Sequence, residues 1–82
     1  VKLIDVGFAV EKGQIVKTEV LAFRETRGGQ IRSNRFLRQL QGQELNDEGN
    51  LSQKIDGYSG ATYSVNAMRK MTRLALYLDS LR

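Results

Sequence analysis

Asp56-Gly57-Tyr58-Ser59-Gly60-Ala61-Thr62-Tyr63-Ser64 is the stretch of this sequence best equipped for chemistry. Its residues are small, hydroxyl-bearing and spaced by glycine, and they run directly into a strongly patterned helical segment. Backbone N–H groups and hydroxyls gathered at a helix N-terminus can hold an anionic group. Gly57 and Gly60 let the backbone approach a ligand closely. Ser59, Thr62 and Ser64 add hydroxyls, and the flat rings of Tyr58 and Tyr63 can wall a planar heteroaromatic group. Composition alone also permits a plainer reading: the glycines make a loop, and Ser64 or Thr62 caps the helix.

The charge order of that helix favours the first reading. A helix N-terminus carries unpaired N–H groups and about half a positive charge. After Ser64 the expected first turn is Val65-Asn66-Ala67-Met68, and the first charges to follow are the cations Arg69 and Lys70. At the far end Asp79 meets the negative pole. A bound anion at the front would correct the first mismatch.

Composition narrows the chemistry further. The chain has 82 residues and is read as a single domain, 1–82, expected to be a piece or processed part of a longer protein. A domain of this size buries only about 60% of its unfolded surface, so its stability margin is thin. It contains no histidine and no cysteine. The usual general base, proton shuttle and thiolate ligand are therefore missing, and no metal site is expected. Self-contained hydrolytic or nucleophilic catalysis does not fit; a cofactor would have to supply the chemistry. Net charge is +4, with Arg24, Arg27, Arg32, Arg35 and Arg38 in the middle and Arg69, Lys70 and Arg73 on the last helix. That balance suits an anionic partner. No stretch approaches the roughly 18 apolar residues of a membrane span.

The elements that must position the motif are legible in part. Residues 1–10 alternate as a strand, with Ile4, Val6, Phe8 and Val10 on one face. Glu11-Lys12-Gly13-Gln14 reads as a tight turn with Gly13 at positive φ. Residues 15–24 form a second strand, Ile15, Lys17, Glu19, Leu21 and Phe23 facing one way and Val16, Thr18, Val20, Ala22 and Arg24 the other. Glu25-Thr26-Arg27-Gly28-Gly29-Gln30 is a loop. Ser33 or Asn34 caps a short helix over 34–41 with Phe36, Leu37 and Leu40 as its stripe, and Gly42 stops it. Residues 43–54 read as loop with one short edge strand, and Lys54-Ile55-Asp56 as a brief extended segment. The last helix is expected to bury Val65, Met68, Met71, Thr72, Ala75, Leu78 and Leu81, widened by Leu74, with Asn66, Arg69, Lys70 and Arg73 opposite. The fold class is α+β: a small antiparallel sheet beginning with a β-hairpin, helices packed on one face, and a long C-terminal helix.

The motif resembles the flavinylation sequence of the FMN-binding domain family, Asp-Gly-x-Ser/Thr-Gly/Ser-Ala-Thr. Asp56, Gly57, Ser59, Gly60, Ala61 and Thr62 all satisfy it, with Tyr58 at the free position. The similarity extends upstream to the Lys12-Gly13 turn, to Glu25-Thr26-Arg27-Gly28-Gly29 after the second strand, and to Phe36 in the next helix. The family includes parts of the sodium-translocating NADH:quinone reductase and of its electron-transport homologue, together with extracytoplasmic reductases. One departure stands out. Many members continue with Ile/Val-Ser-Ser or Ser-x-Ala, where this chain has Tyr63-Ser64-Val65-Asn66-Ala67. A tyrosine beside the acceptor either stacks on the flavin or hinders the modification.

What the resemblance implies is specific. FMN is the cofactor, and Thr62 carries it as a phosphoester, a phosphothreonyl-FMN. The Thr62 hydroxyl is a poor nucleophile, with no His or Cys in the chain to activate it. Attachment therefore needs a flavin transferase that uses FAD as FMN donor together with a divalent metal. Asp56 would position the motif for that enzyme; an Asx-type loop cap is its other role. N–H groups around Gly60-Ala61 and the Ser59 hydroxyl would hold the phosphate. Glu25, Thr26, Gly28 and Gly29 would line the ring or ribityl chain, although a glycine pair after a strand also makes an ordinary turn. Arg27 would face the anionic reduced flavin or simply the solvent. Met68 and Met71 read as core filler.

The expected function is an FMN-bearing electron-transfer domain of a larger oxidoreductase system. Its partners would be redox proteins and its setting extracytoplasmic, periplasmic or cell-surface, compatible with a membrane-anchored parent protein. Two other readings remain in view: a domain that binds FMN reversibly or serves as a sensor or interaction module, and a basic nucleic-acid-binding module. The last is disfavoured, because the few aromatics are not interleaved with the cations as a stacking platform requires.

Overall fold

A computed structural model describes residues 4–23, 31, 33–57 and 62–81. The chain opens with a hairpin, because two β-rich runs are joined by a turn that suits their twist. Strand β1 (Ile4–Glu11) pairs antiparallel with β2 (Gln14–Phe23). The linking residues Lys12 and Gly13 have φ of 52° and 78°. Positive φ at both central positions is the geometry that matches the right-handed twist of flanking strands. The expected turn is thus present, and lysine as well as glycine adopts the left-handed conformation.

The simple alternation expected of β2 does not hold. Asp5 faces Ala22 but Val6 faces Val20, and Ala9 faces Lys17 but Val10 faces Ile15. Leu21 and Val16 are therefore extra residues on β2, one at each register shift. Each bulge reverses which face the following residues occupy. Ile15 and Thr18 are both buried although three positions apart, while Val16 and Leu21 are exposed.

Helix α1 (Asn34–Leu37) is one turn long, shorter than the expected span 34–41. Ser33 is its cap, its hydroxyl accepting from the Phe36 N–H at 3.2 Å. Beyond Leu37 the chain tightens into i→i+3 bonds, Gln39 N–H to Phe36 C=O and Leu40 N–H to Leu37 C=O. The tightening still buries Phe36 and Leu40 completely. Gly42 ends it at φ 83°. That conformation lets the Gly42 N–H donate to Ile15 C=O at 2.7 Å, while the Ile15 N–H donates to Gln43 C=O at 3.0 Å. The two bonds bolt the end of α1 onto the start of β2. Residues 43–54 then fold back on themselves through a single Leu45–Leu51 bridge, with the Asn46 side chain accepting from Glu48 N–H and Asn50 N–H.

Helix α2 (Thr62–Ser80, 19 residues) packs on both strands of the hairpin. Its buried residues are Ser64, Val65, Met68, Thr72 and Leu76. The stripe is rotated from the expected one. Leu76 lies inside, and Leu74, Leu78 and Leu81 are more than half exposed. The cause is the narrowness of the surface beneath: the described sheet has two strands and covers a single line of positions, 65, 68, 72 and 76. The core cluster joins Ile31, Phe36, Leu40, Ile55, Val65 and Met68, flanked by Val6, Val20, Leu37, Leu51 and Met71. Burying a large apolar side chain of this kind stabilises by about 1.5–3 kcal/mol. The α+β class is as expected, with the helices packed against an antiparallel hairpin. No described helix is long and apolar enough to cross a membrane.

Candidate functional site

Two glutamines, one helical turn apart after α1, hold the segment that enters the motif. The buried Gln43 side chain donates from Nε2 to the carbonyls of Gln39 and Gln53, at 3.1 and 3.0 Å. Its Oε1 accepts from the Gln53 N–H at 3.0 Å and from the Ser52 hydroxyl at 3.3 Å. Three residues further along, Gln39 grips Asp56 through both backbone polar groups. A primary amide that pairs with the N–H and C=O of one residue bonds it as a neighbouring strand would. Buried between the two clamps, Ile55 points into the core. The sequence shows Gln39 and Gln43 only as polar residues near Gly42; their i, i+4 spacing is the one local sign of a shared face.

The motif meets α2 next. A Cβ on Gly57 would sit 3.3 Å from Val65 Cγ1, tighter than ordinary contact. A larger residue at Gly57 would push Val65, in the first turn of α2, by a few tenths of an ångström. Both ends of the motif are placed by the fold: Gly57 against Val65, and Thr62 as the first residue of α2.

The helix begins earlier than expected, at Thr62 and not after Ser64. Ser64 lies inside the helix, 3% exposed, so it is not the cap. A cap needs a non-helical backbone and a side chain turned back to the free N–H groups. Thr62 is exposed, and Tyr63 beside it is 53% exposed. The first turn carries no acidic residue, and the last turn no basic one. The mismatch with the helix dipole read from the sequence is therefore real at both ends. An exposed hydroxyl at a helix N-terminus without a carboxylate is a donor set that suits a phosphate ester.

Of the predicted site residues, Asp56, Gly57, Thr62 and Tyr63 are described. Tyr58, Ser59, Gly60 and Ala61, and the loop residues Glu25, Thr26, Gly28 and Gly29, lie outside the described residues, as does Arg27. Met68 is fully buried in the core and Met71 half-buried beside it, as expected of filler.

Among the described residues, grooves lie on either side of the core. One, of about 260 Å³, lies between β2 and α1 and is bordered by Lys17, Thr18, Asn34 and Arg38. The Thr18 hydroxyl there is buried and has no partner among the described residues. The other, of about 280 Å³, lies between residues 50–55 and α2, bordered by Lys54, Arg69 and Arg73. Pockets that bury a ligand of drug or cofactor size usually hold about 300–1,000 Å³. Neither of these two grooves reaches that range, and neither is bordered by a described residue of the motif.

A family model described as an FMN-binding domain matches residues 3–77, nearly the whole chain. No curated protein and no solved structure matches it.

Proposed function

The chain belongs to the FMN-binding domain family, and from that premise we propose that its FMN is esterified through the phosphate to Thr62 and that the domain passes electrons between partner proteins. FMN, the family's cofactor, supplies the redox chemistry when bound. The rest falls to the chain's own residues.

One observation carries the reading: Thr62 is an exposed hydroxyl at the first position of a 19-residue helix whose first turn holds no acid. The positive end of the helix dipole favours the phosphate, and the exposed oxygen is open to a modifying enzyme. In attachment, the Thr62 oxygen attacks the FMN-side phosphorus of FAD. The pyrophosphate bond breaks, AMP leaves and the hydroxyl proton is lost. A flavin transferase and its divalent metal do that work, since the chain has no histidine or cysteine to act as base. Tyr63 follows Thr62 and is 53% exposed, so an aromatic side chain neighbours the attachment point.

Electron transfer is favoured over catalysis on a bound substrate by the exposure of the attachment point and by the lack of histidine and cysteine in the chain. Thr62 and Tyr63 are both exposed, so a flavin attached there has an edge within reach of a partner protein. The reading includes an extracytoplasmic setting, where a chain without cysteine has nothing to mispair.

The test is intact mass under denaturing conditions, on protein co-expressed with a flavin transferase and with Thr62→Ala alongside. A gain of one FMN less one water, absent from the variant, is the expected result. An unmodified wild-type mass despite an active transferase would sink the covalent assignment. Titration with free FMN would then separate a reversible binder from a sensor or interaction module.

A further inference from the structure

We infer that Lys54, Arg69 and Arg73 form a docking surface for an acidic electron-carrier protein that exchanges electrons with the flavin. The inference rests on the reading that Thr62 carries that flavin.

Among the described residues, three cations and no carboxylate border the groove between residues 50–55 and α2. Its volume of about 280 Å³ makes it a concavity, and cations gathered over low-dielectric walls focus their field outward. The placement of two of the cations links the groove to the flavin end. Arg69 and Arg73 follow Thr62 by seven and eleven positions along α2. At 3.6 residues per turn, all three lie within about 20° of one line down the helix, with rises of about 10 and 16 Å from Thr62. Asn66 lies close to the same line, and all four residues are exposed. A partner seated on the cations would therefore lie alongside the Thr62 end of the helix.

The chemistry of the groove selects among anionic partners. No described aromatic residue borders it, so it offers no platform for stacking nucleic-acid bases. Its apolar residues are recessed: Ile55 is 3% exposed and Leu51 half-buried, so neither projects for insertion into a lipid surface. What remains is a short cluster of long flexible cations matching a cluster of carboxylates on a protein. Such contacts steer encounter and set orientation more than they add affinity, as a transient electron carrier requires.

The experiment uses the flavin-loaded domain and a plant-type ferredoxin, an acidic carrier, as probe. Binding is read from chemical-shift changes at low and high salt. The variant K54Q/R69Q/R73Q is compared with K17Q/R35Q/R38Q, which removes the same charge elsewhere. Wild-type binding is expected to weaken with salt. The first variant should weaken it about tenfold and the control less than about threefold. Equal losses in the two variants would mean that net charge alone steers binding, and would overturn the assignment. Absence of wild-type binding would overturn it too. So would tighter binding to phosphatidylserine vesicles or to a single-stranded oligonucleotide, lost in the same triple variant. Intact mass reports separately whether Thr62 is loaded, so an unloaded Thr62 refutes the flavin reading while the binding data still decide the docking surface.

Discussion

Gln39 and Asp56, 17 residues apart, are joined as though by a β-bridge: the Asp56 N–H donates to Gln39 Oε1 at 2.7 Å, and Gln39 Nε2 donates to the Asp56 carbonyl at 3.0 Å. The first residue of the proposed flavin-attachment motif is thus fixed by its backbone, while its side chain is exposed.

If Thr62 is the attachment point as proposed, that pairing makes Gln39 a positioning residue for attachment. Gln39→Ala is expected to lower stability by only about 1 kcal/mol, since the pair is exposed, but to slow flavin attachment about tenfold. Gln39→Glu keeps the acceptor and loses the donor, and should fall between. The check is a time course of mass gain with transferase in excess. Unchanged attachment in a destabilised Gln39→Ala protein would make the clamp purely structural.

Gln43 carries the larger share of stability. It is 1% exposed and bonds to Gln39, Ser52 and Gln53. Gln43→Met keeps the volume but removes the bonds to the Gln53 N–H, the Gln53 carbonyl and the Gln39 carbonyl, at about 1 kcal/mol for each lost bond. We expect a loss of about 3 kcal/mol by urea denaturation. A loss below about 1 kcal/mol would show that water replaces the side chain.

Gly57→Ala tests the contact between the motif and α2. The added methyl would lie 3.3 Å from Val65 Cγ1, and overpacking of this kind costs about 1–3 kcal/mol. Pairing it with Val65→Ala should recover part of that loss. A double-mutant cycle with no coupling would remove Val65 as the reason for glycine.

Thr62→Glu separates helix stability from function. A carboxylate in the first turn of α2 complements the dipole that no acid now answers. Thermal melting of the flavin-free variant should show a gain of about 0.5 kcal/mol. The same protein should take up no flavin by intact mass. A loss of stability would mean that the N–H groups are already satisfied.

The sequence alone determined those features whose causes lie within a few residues. The Lys12-Gly13 turn, a cap at Ser33 or Asn34 and the left-handed Gly42 follow from local backbone preference, although α1 itself ends earlier, at Leu37. The motif from Asp56 to Thr62 and the missing acid at the front of α2 were equally legible, because spacing and charge order are properties of the string. Tertiary structure decided the rest. The bulges at Val16 and Leu21 reverse the faces of β2, and strand periodicity cannot anticipate an inserted residue. Leu76 is buried and Leu74 exposed because a two-stranded surface accepts one line of side chains, whereas the apolar residues of α2 extend round more of its circumference. The glutamine clamps were invisible for the same reason: a polar side chain shows its purpose only when the fold brings an unpaired peptide group within hydrogen-bonding distance.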